Sequence, residues 1–280
     1  MPAALWPPGP MVTESAVWER VGGDPMAMLS SPGDEPRLRA VYDEYAAVAR
    51  RHGLPILLCA PTWRANRERA QPGANARALR FISELTPWHA ALMGPRGDCY
   101  TPGAALDRAA ARSFHEWQAG ELSGARLVTL ATFPAVSEAL GILDVLRSPA
   151  VVSFVLTVSG ALLDGTPLEQ AMAEVDEAAE RPPVGYWINC THAGTALAGL
   201  RRASARGELR RLLGIQANAS PLDTRDFAQA RDFANEAPEL FAESLPALRR
   251  EFGLRVLGGC CGTRASHLEA LATRLRQPPG

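Results

Sequence analysis

Leu254-Arg255-Val256-Leu257 runs into Gly258-Gly259-Cys260-Cys261-Gly262-Thr263, and a helical pattern begins near Ala265. The stretch reads as strand, glycine-rich turn and helix. Neighbouring side chains of a regular strand point to opposite faces, so adjacent cysteines would diverge. The flanking glycines let the backbone bend until both sulfurs converge on one point. Two convergent thiolates make a soft-metal site, with zinc its commonest occupant. Such a site needs a further protein ligand. Cys190 is the candidate, in Tyr186-Trp187-Ile188-Asn189-Cys190-Thr191-His192, another apolar run that closes in polar residues.

The strand-then-helix unit recurs upstream. Leu38, Val41, Tyr42, Tyr45, Val48 and Ala49 are spaced three and four apart, which predicts an amphipathic helix over Pro36 to His52, closed by Gly53. Leu54 to Ala60 is a short continuous apolar run, as expected of a strand buried on both faces. Further strands are predicted at Trp88–Met93, Ala125–Ala131, Ala150–Thr157, Gly185–Cys190, Leu212–Ala217 and Leu254–Gly259. Helices are predicted at Ala104–Leu122, Val136–Leu146, Leu168–Glu180, Thr195–Ala205, in segments between Asp226 and Phe252, and at Ala265–Arg276. A short, degenerate first strand with a loop is placed in Ala16 to Leu29, after a flexible tail over residues 1–15. Eight such units in one domain over residues 16–280 predict an α/β fold, a (β/α)8 TIM barrel. A doubly wound open sheet competes, but no Gly-x-Gly-x-x-Gly follows an early strand.

Composition removes several function classes. The net charge of −1 gives no basic footprint for nucleic acid and no polybasic membrane patch. No stretch approaches the roughly 18 apolar residues of a membrane span. Met1 to Pro10 lacks the charged and apolar regions of a signal peptide. Five cysteines scattered over 280 residues fit thiols in a reducing, cytoplasmic setting. All 29 basic residues are arginine, so a Schiff-base lysine and a Walker-type P-loop are excluded.

Polar residues cluster just after the predicted strands: Thr62, Trp63, Arg64 and Asn66; Gly94, Arg96 and Asp98; Thr132; Asn189 and Cys190; Asn218; and the glycine–cysteine run. In a barrel the C-terminal strand ends open onto one face, where active sites are built. Cys190, Cys260 and Cys261 would end strands six and eight and share an ion there. Thr62, Trp63, Arg64, Asp98, Thr132, Asn189 and Asn218 are the candidate substrate contacts, with Arg64 suited to a carboxylate and Trp63 or Phe133 to a cationic methyl group. Cys59 reads as a core thiol and Cys99 as an exposed one in a polar loop. His192 is a weak alternative ligand, His267 a capping or packing residue, and His52, His89 and His115 helix-end or surface histidines.

Gly258-Gly259-Cys260-Cys261-Gly262-Thr263 with Ser266-His267-Leu268, and Asn189-Cys190, resemble the homocysteine S-methyltransferase family. That family includes the betaine- and S-methylmethionine-dependent enzymes and the homocysteine domain of cobalamin-dependent methionine synthase. Thr62-Trp63-Arg64-Ala65-Asn66, Gly94-Pro95, Ser153-Phe154, Asp164-Gly165-Thr166 and Asn218 extend the resemblance over about residues 36–276. The resemblance implies a (β/α)8 barrel and a Zn²⁺ held by Cys190, Cys260 and Cys261 with a fourth position for a substrate thiol. It implies methyl transfer from a free sulfonium or quaternary ammonium donor to a thiol, with homocysteine giving methionine.

The chain also departs from the family pattern. Where the family's first strand reads Asp-Gly-Gly, the nearest stretch is Val21-Gly22-Gly23-Asp24-Pro25, and where many members carry Glu-Thr at the end of strand four, this chain has Ala131-Thr132. The ammonium of an amino-acid substrate would then need another partner, Asp98 or Glu138, or the thiol is a different one. The rival expectations are an inactive homologue that keeps the metal and binds a different small thiol, and a hydrolase using metal-bound water, which lacks a well-placed general base.

Overall fold

The computed structural model describes residues 5–21, 24–203, 207–227 and 234–277. Eight parallel strands close into a barrel in sequence order: β1 (Met11–Glu14), β2 (Ile56–Cys59), β3 (His89–Met93), β4 (Val128–Phe133), β5 (Ala150–Phe154), β6 (Gly185–His192), β7 (Leu212–Asn218) and β8 (Val256–Gly259). The ring is completed by β1 against β8, with Thr13 opposite Gly258 and Glu14 opposite Gly259. Among the described residues, closure leaves no exposed edge on this sheet. This is the (β/α)8 barrel the alternating sequence predicts.

The predicted first strand is misplaced. β1 lies at Met11–Glu14, inside the segment read as tail, while the 16–29 stretch carries two single-turn helices, α1 (Trp18–Val21) and α2 (Pro25–Met28). Val21 is a buried residue of α1 in the outer core, and the adjacent Gly22 and Gly23 lie outside the described residues. The tail is also packed: Trp6 is buried, 6.1 Å from the Trp187 ring, and Arg255 donates to Pro7 O at 2.9 Å.

Around the barrel run α3 (Glu35–Arg51), α4 (Ala74–Leu85), α5 (Arg108–Glu121), α6 (Val136–Val145), α7 (Leu168–Ala178), α8 (Ala193–Arg202), then α9 (Thr224–Phe227), α10 (Pro238–Phe241), α11 (Leu245–Phe252) and α12 (Ala265–Arg276). Each long helix turns an apolar stripe to the sheet, as in α3, which buries Leu38, Tyr42, Tyr45, Val48 and Ala49. The predicted end of α8 at Ala205 falls outside the described residues.

Alternation along the strands makes two cores. Outward residues such as Val12, Leu58, Leu130, Phe154 and Ile188 pack beneath the helices. Inward residues Met11, Leu57, Leu127, Val151, Trp187, Leu213 and Val256, with Trp6, fill the barrel. Above this apolar plug the lumen turns polar: Gln216 donates to Thr13 Oγ1 at 2.9 Å and to Cys59 Sγ at 3.4 Å, and accepts from Asn189 Nδ2 at 2.9 Å. That layer is the floor on which the site stands. Cys59 belongs to it as a core thiol, and burial pushes it up to about 12.

Candidate metal centre

Local backbone geometry aims three cysteines at one point. β6 would send Asn189 inward and Cys190 outward, but Cys190 takes φ 54° and the β6–β7 register shifts between Asn189 and His192. Both side chains therefore reach the lumen. β4 uses the same device, with Thr132 at φ 66° and a register shift between Leu130 and Phe133. Non-glycine residues rarely take this conformation, and it persists where surrounding contacts enforce it. Asn218 helps to do so, donating to Cys190 O at 2.9 Å.

The second arm follows β8. A Cβ at Gly258 would strike the Thr13 carbonyl, and one at Gly259 would lie 2.6 Å from Glu14 Oε2. Cys260 N donates to Ala217 O at 2.7 Å, Ala219 N donates to Cys261 O at 2.9 Å, and Gly262 turns the chain at φ 76°. Thr263 Oγ1 bonds Cys260 O at 2.6 Å and Glu14 Oε2 at 2.9 Å.

Cys190 and Cys261 sulfurs stand 3.2 Å apart and those of Cys260 and Cys261 3.8 Å, with all three within 4.8 Å of one another. Thiolates about 2.3 Å from a tetrahedral zinc lie about 3.8 Å from each other. The donor set fits a soft divalent cation. Without one the sulfurs share protons: donation from Cys190 and then Cys261 holds Cys260 well below the usual thiol range. The reciprocal bonds, to Cys260 for Cys190 and to Cys190 for Cys261, hold those two thiols above it. A metal would replace those protons.

The sulfurs open into a cavity of about 230 Å³. Of the expected substrate contacts, Trp63, Thr132 and Asn189 line it. Trp63 Nε1 donates to Thr132 Oγ1 at 3.2 Å. Arg64 stacks on Trp63, 4.4 Å from its ring, bonds Gly97 O, and lines a neighbouring cavity of about 340 Å³ with Asp24 and Arg69. Thr62, Asp98 and Asn218 are not among the lining residues. Thr62 ties β2 to β3 through Leu92 O at 2.9 Å and Leu92 N at 2.8 Å, and Asp98 accepts from Thr101 Oγ1 at 2.6 Å within its own turn.

Several side chains differ from the sequence expectation. Cys99 is buried and lines the cavity, and burial pushes its thiol up to about 12. Phe133 sits in the outer core and does not line the cavity. Glu138 is fully buried, accepting from Arg96 N at 2.7 Å and Leu106 N at 3.1 Å and facing His115 Nε2 at 2.9 Å. That removes Glu138 as an ammonium partner and makes His115 a core histidine. His192 caps α8 through Gly194 N at 3.2 Å and meets Glu236 at 2.8 Å, and His267 forms a reciprocal cap at the start of α12. The residues that sequence reading missed are Ser15, Glu19, Leu92 and Tyr100. Tyr100 donates to Cys190 Sγ at 3.0 Å, with burial raising its phenol. Burial likewise raises Glu19, whose Oε2 accepts from Gly262 N at 2.7 Å.

The end of β1 carries Glu14, so the acid sought near Val21 is present earlier in the chain. Its Oε1 accepts from Ser15 N and Ala16 N, both at 2.9 Å, and its Oε2 from Thr263. Burial pushes this carboxyl up to about 8 in spite of those bonds.

Two crystal structures of homocysteine methyltransferase MmuM from Escherichia coli share this fold. The metallated form is 22% identical, with 94% of this chain and 95% of that chain covered and a TM-score of 0.71. The oxidised form is 21% identical, with 98% and 99% covered and a TM-score of 0.73. No curated protein sequence matches the chain. The sequence profile described as homocysteine S-methyltransferase matches residues 39–275. The chain is a methyltransferase and belongs to the homocysteine S-methyltransferase family.

Proposed function

We propose that the protein moves a methyl group from a sulfonium or quaternary ammonium donor to a thiol, converting homocysteine to methionine, on a centre of Cys190, Cys260 and Cys261 that holds Zn²⁺. The observation that carries this reading is the convergence of the three sulfurs on one open cavity. Zinc bound by three thiolates supplies the Lewis acidity that keeps an acceptor sulfur deprotonated at neutral pH. In the transfer, acceptor sulfur attacks the donor methyl carbon. A new S–CH₃ bond forms, the old S–CH₃ or N–CH₃ bond breaks, and its electron pair leaves on the donor atom, which becomes neutral.

The chain's own residues position and shield. The indole of Trp63 offers a cation-binding face to a positively charged methyl donor. Leu92 and Ala131 give apolar walls that limit water, while Thr132 adds a polar atom to the wall and Asn189 one to the floor. Fixing both reactants in one small cavity converts the encounter into an oriented, effectively unimolecular step. All five cysteines are free thiols, which supports a reducing, cytoplasmic setting. The rival, an inactive or altered-substrate homologue, is favoured by Ala131, which leaves the end of β4 without a carboxylate.

The deciding measurement is zinc content by elemental analysis, with X-ray absorption counting sulfurs as homocysteine is added. A rise from three sulfurs to four is the expected result. Bound zinc that ignores homocysteine would favour the rival, and freshly reduced protein without zinc would overturn the metal assignment. Cys190→Ala and Cys260→Ala are each expected to lose both zinc and turnover; full zinc and activity in either would sink the ligand set.

A further inference from the structure

We propose that Glu19 sets the acceptor specificity by receiving an ammonium group, so that the substrate class is a short aminothiol; this rests on the thiol-methylation reading above. The argument begins with charge. Among the described residues lining the metal cavity there is no arginine and no histidine, and Glu19 is the single carboxylate. Once the three cysteines are thiolates around a divalent ion, cluster and Glu19 together remain negative. A thiol whose only charge is a carboxylate meets like charge there, whereas one bearing an amine meets opposite charge.

The other acids near the site are already committed. Glu14 spends both oxygens on Ser15 N, Ala16 N and Thr263 Oγ1. Glu138 is closed around Arg96 N, Leu106 N and His115. Ala131 brings nothing from β4. Glu19 belongs to α1, is exposed as a residue, and turns its carboxylate inward to Gly262 N at 2.7 Å beside Cys261. That anchor occupies Oε2 and fixes the rotamer, and the carboxylate also accepts from the Cys261 thiol. That second bond is lost once Cys261 holds a metal as thiolate, so an arriving amine meets an oriented acceptor with little side-chain entropy left to lose. Its place next to a ligand cysteine fixes the distance as well: the amine must lie only a few carbons from the sulfur. Homocysteine meets this requirement through its amine; its carboxylate has no cationic partner in the cavity.

The test is calorimetric titration of the metal-loaded protein with homocysteine, with its decarboxylated analogue aminopropanethiol, and with its des-amino analogue mercaptobutyrate. The wild type is expected to bind the two amines with similar affinity and mercaptobutyrate at least about tenfold more weakly, near 1.4 kcal/mol. Glu19→Gln keeps an oxygen for Gly262 N, and it is expected to erase that preference while zinc content stays unchanged. A purely structural role for Glu19 would weaken all three thiols together. A wild type indifferent to the amine, or a preference that survives Glu19→Gln, overturns the assignment and leaves methyl transfer standing. Failure of every thiol to bind overturns both.

Discussion

At Cys190 and Thr132 the backbone adopts φ of 54° and 66°, and these two residues explain how consecutive side chains of one strand face the same cavity. The sequence hinted at convergence only at Gly258-Gly259, where glycine makes the bend cheap. Nothing in Asn189-Cys190 or Ala131-Thr132 signals a left-handed residue, because the neighbours that enforce it come from other strands. Glu14 gives a prediction at this scale. Its carboxyl is held near 8 by burial against an ordinary value of 4.5. Below about 4.5 both folded and unfolded chains carry the proton; between there and about 8 only the folded chain keeps it. Stability of the metal-free protein is therefore expected to fall as pH rises through that window, by a few kcal/mol. Glu14→Gln should flatten the profile, as read by urea unfolding at stepped pH; a wild-type profile already flat would refute the buried acid.

At the scale of elements, the segment between β3 and α5 brings Cys99 and Tyr100 to the cavity of the three sulfurs. Its polar composition reads as an exposed loop, yet Glu138 of α6 pulls it inward by accepting from Arg96 N and Leu106 N, near its two ends. The sequence places Glu138 on a helix but is silent on which loop it will hold, since the contact spans 42 residues to Arg96. Glu138→Ala leaves two half-buried N–H groups and the fully buried His115 ring without their acceptor, an expected cost of about 3 kcal/mol. Chemical denaturation should show that loss, and hydrogen exchange should speed up between residues 96 and 106 ahead of the barrel strands. Unchanged exchange there would mean the loop is held by something else. The long helices were legible by contrast, α4 excepted, for which the sequence reading places no helix between the second and third strands: the three-and-four spacing of α3 or α5 is a property of the segment alone.

At the scale of the whole molecule, the barrel is closed by its shortest and least conspicuous parts. β1 is four residues, all buried, and it pairs with both β2 and β8. Trp6, just before it, plugs the lumen against Trp187. A frayed tail would tolerate Trp6→Ala without effect. The structure instead predicts a loss of about 3 kcal/mol from truncating a buried aromatic, measurable as a lower unfolding midpoint. By itself the sequence determined the eight-unit alternation, the amphipathic helices and the three metal-binding candidates, because each is written in short-range periodicity or in residues that end a strand. Tertiary structure alone decided the place of β1, the burial of Cys99, and the arrival of Glu14, Glu19 and Tyr100 around the sulfurs. The physical reason is the same for each: a four-residue strand has too few side chains to show a period, and a side chain's burial or partner is set by segments far away in the chain that only barrel closure brings together.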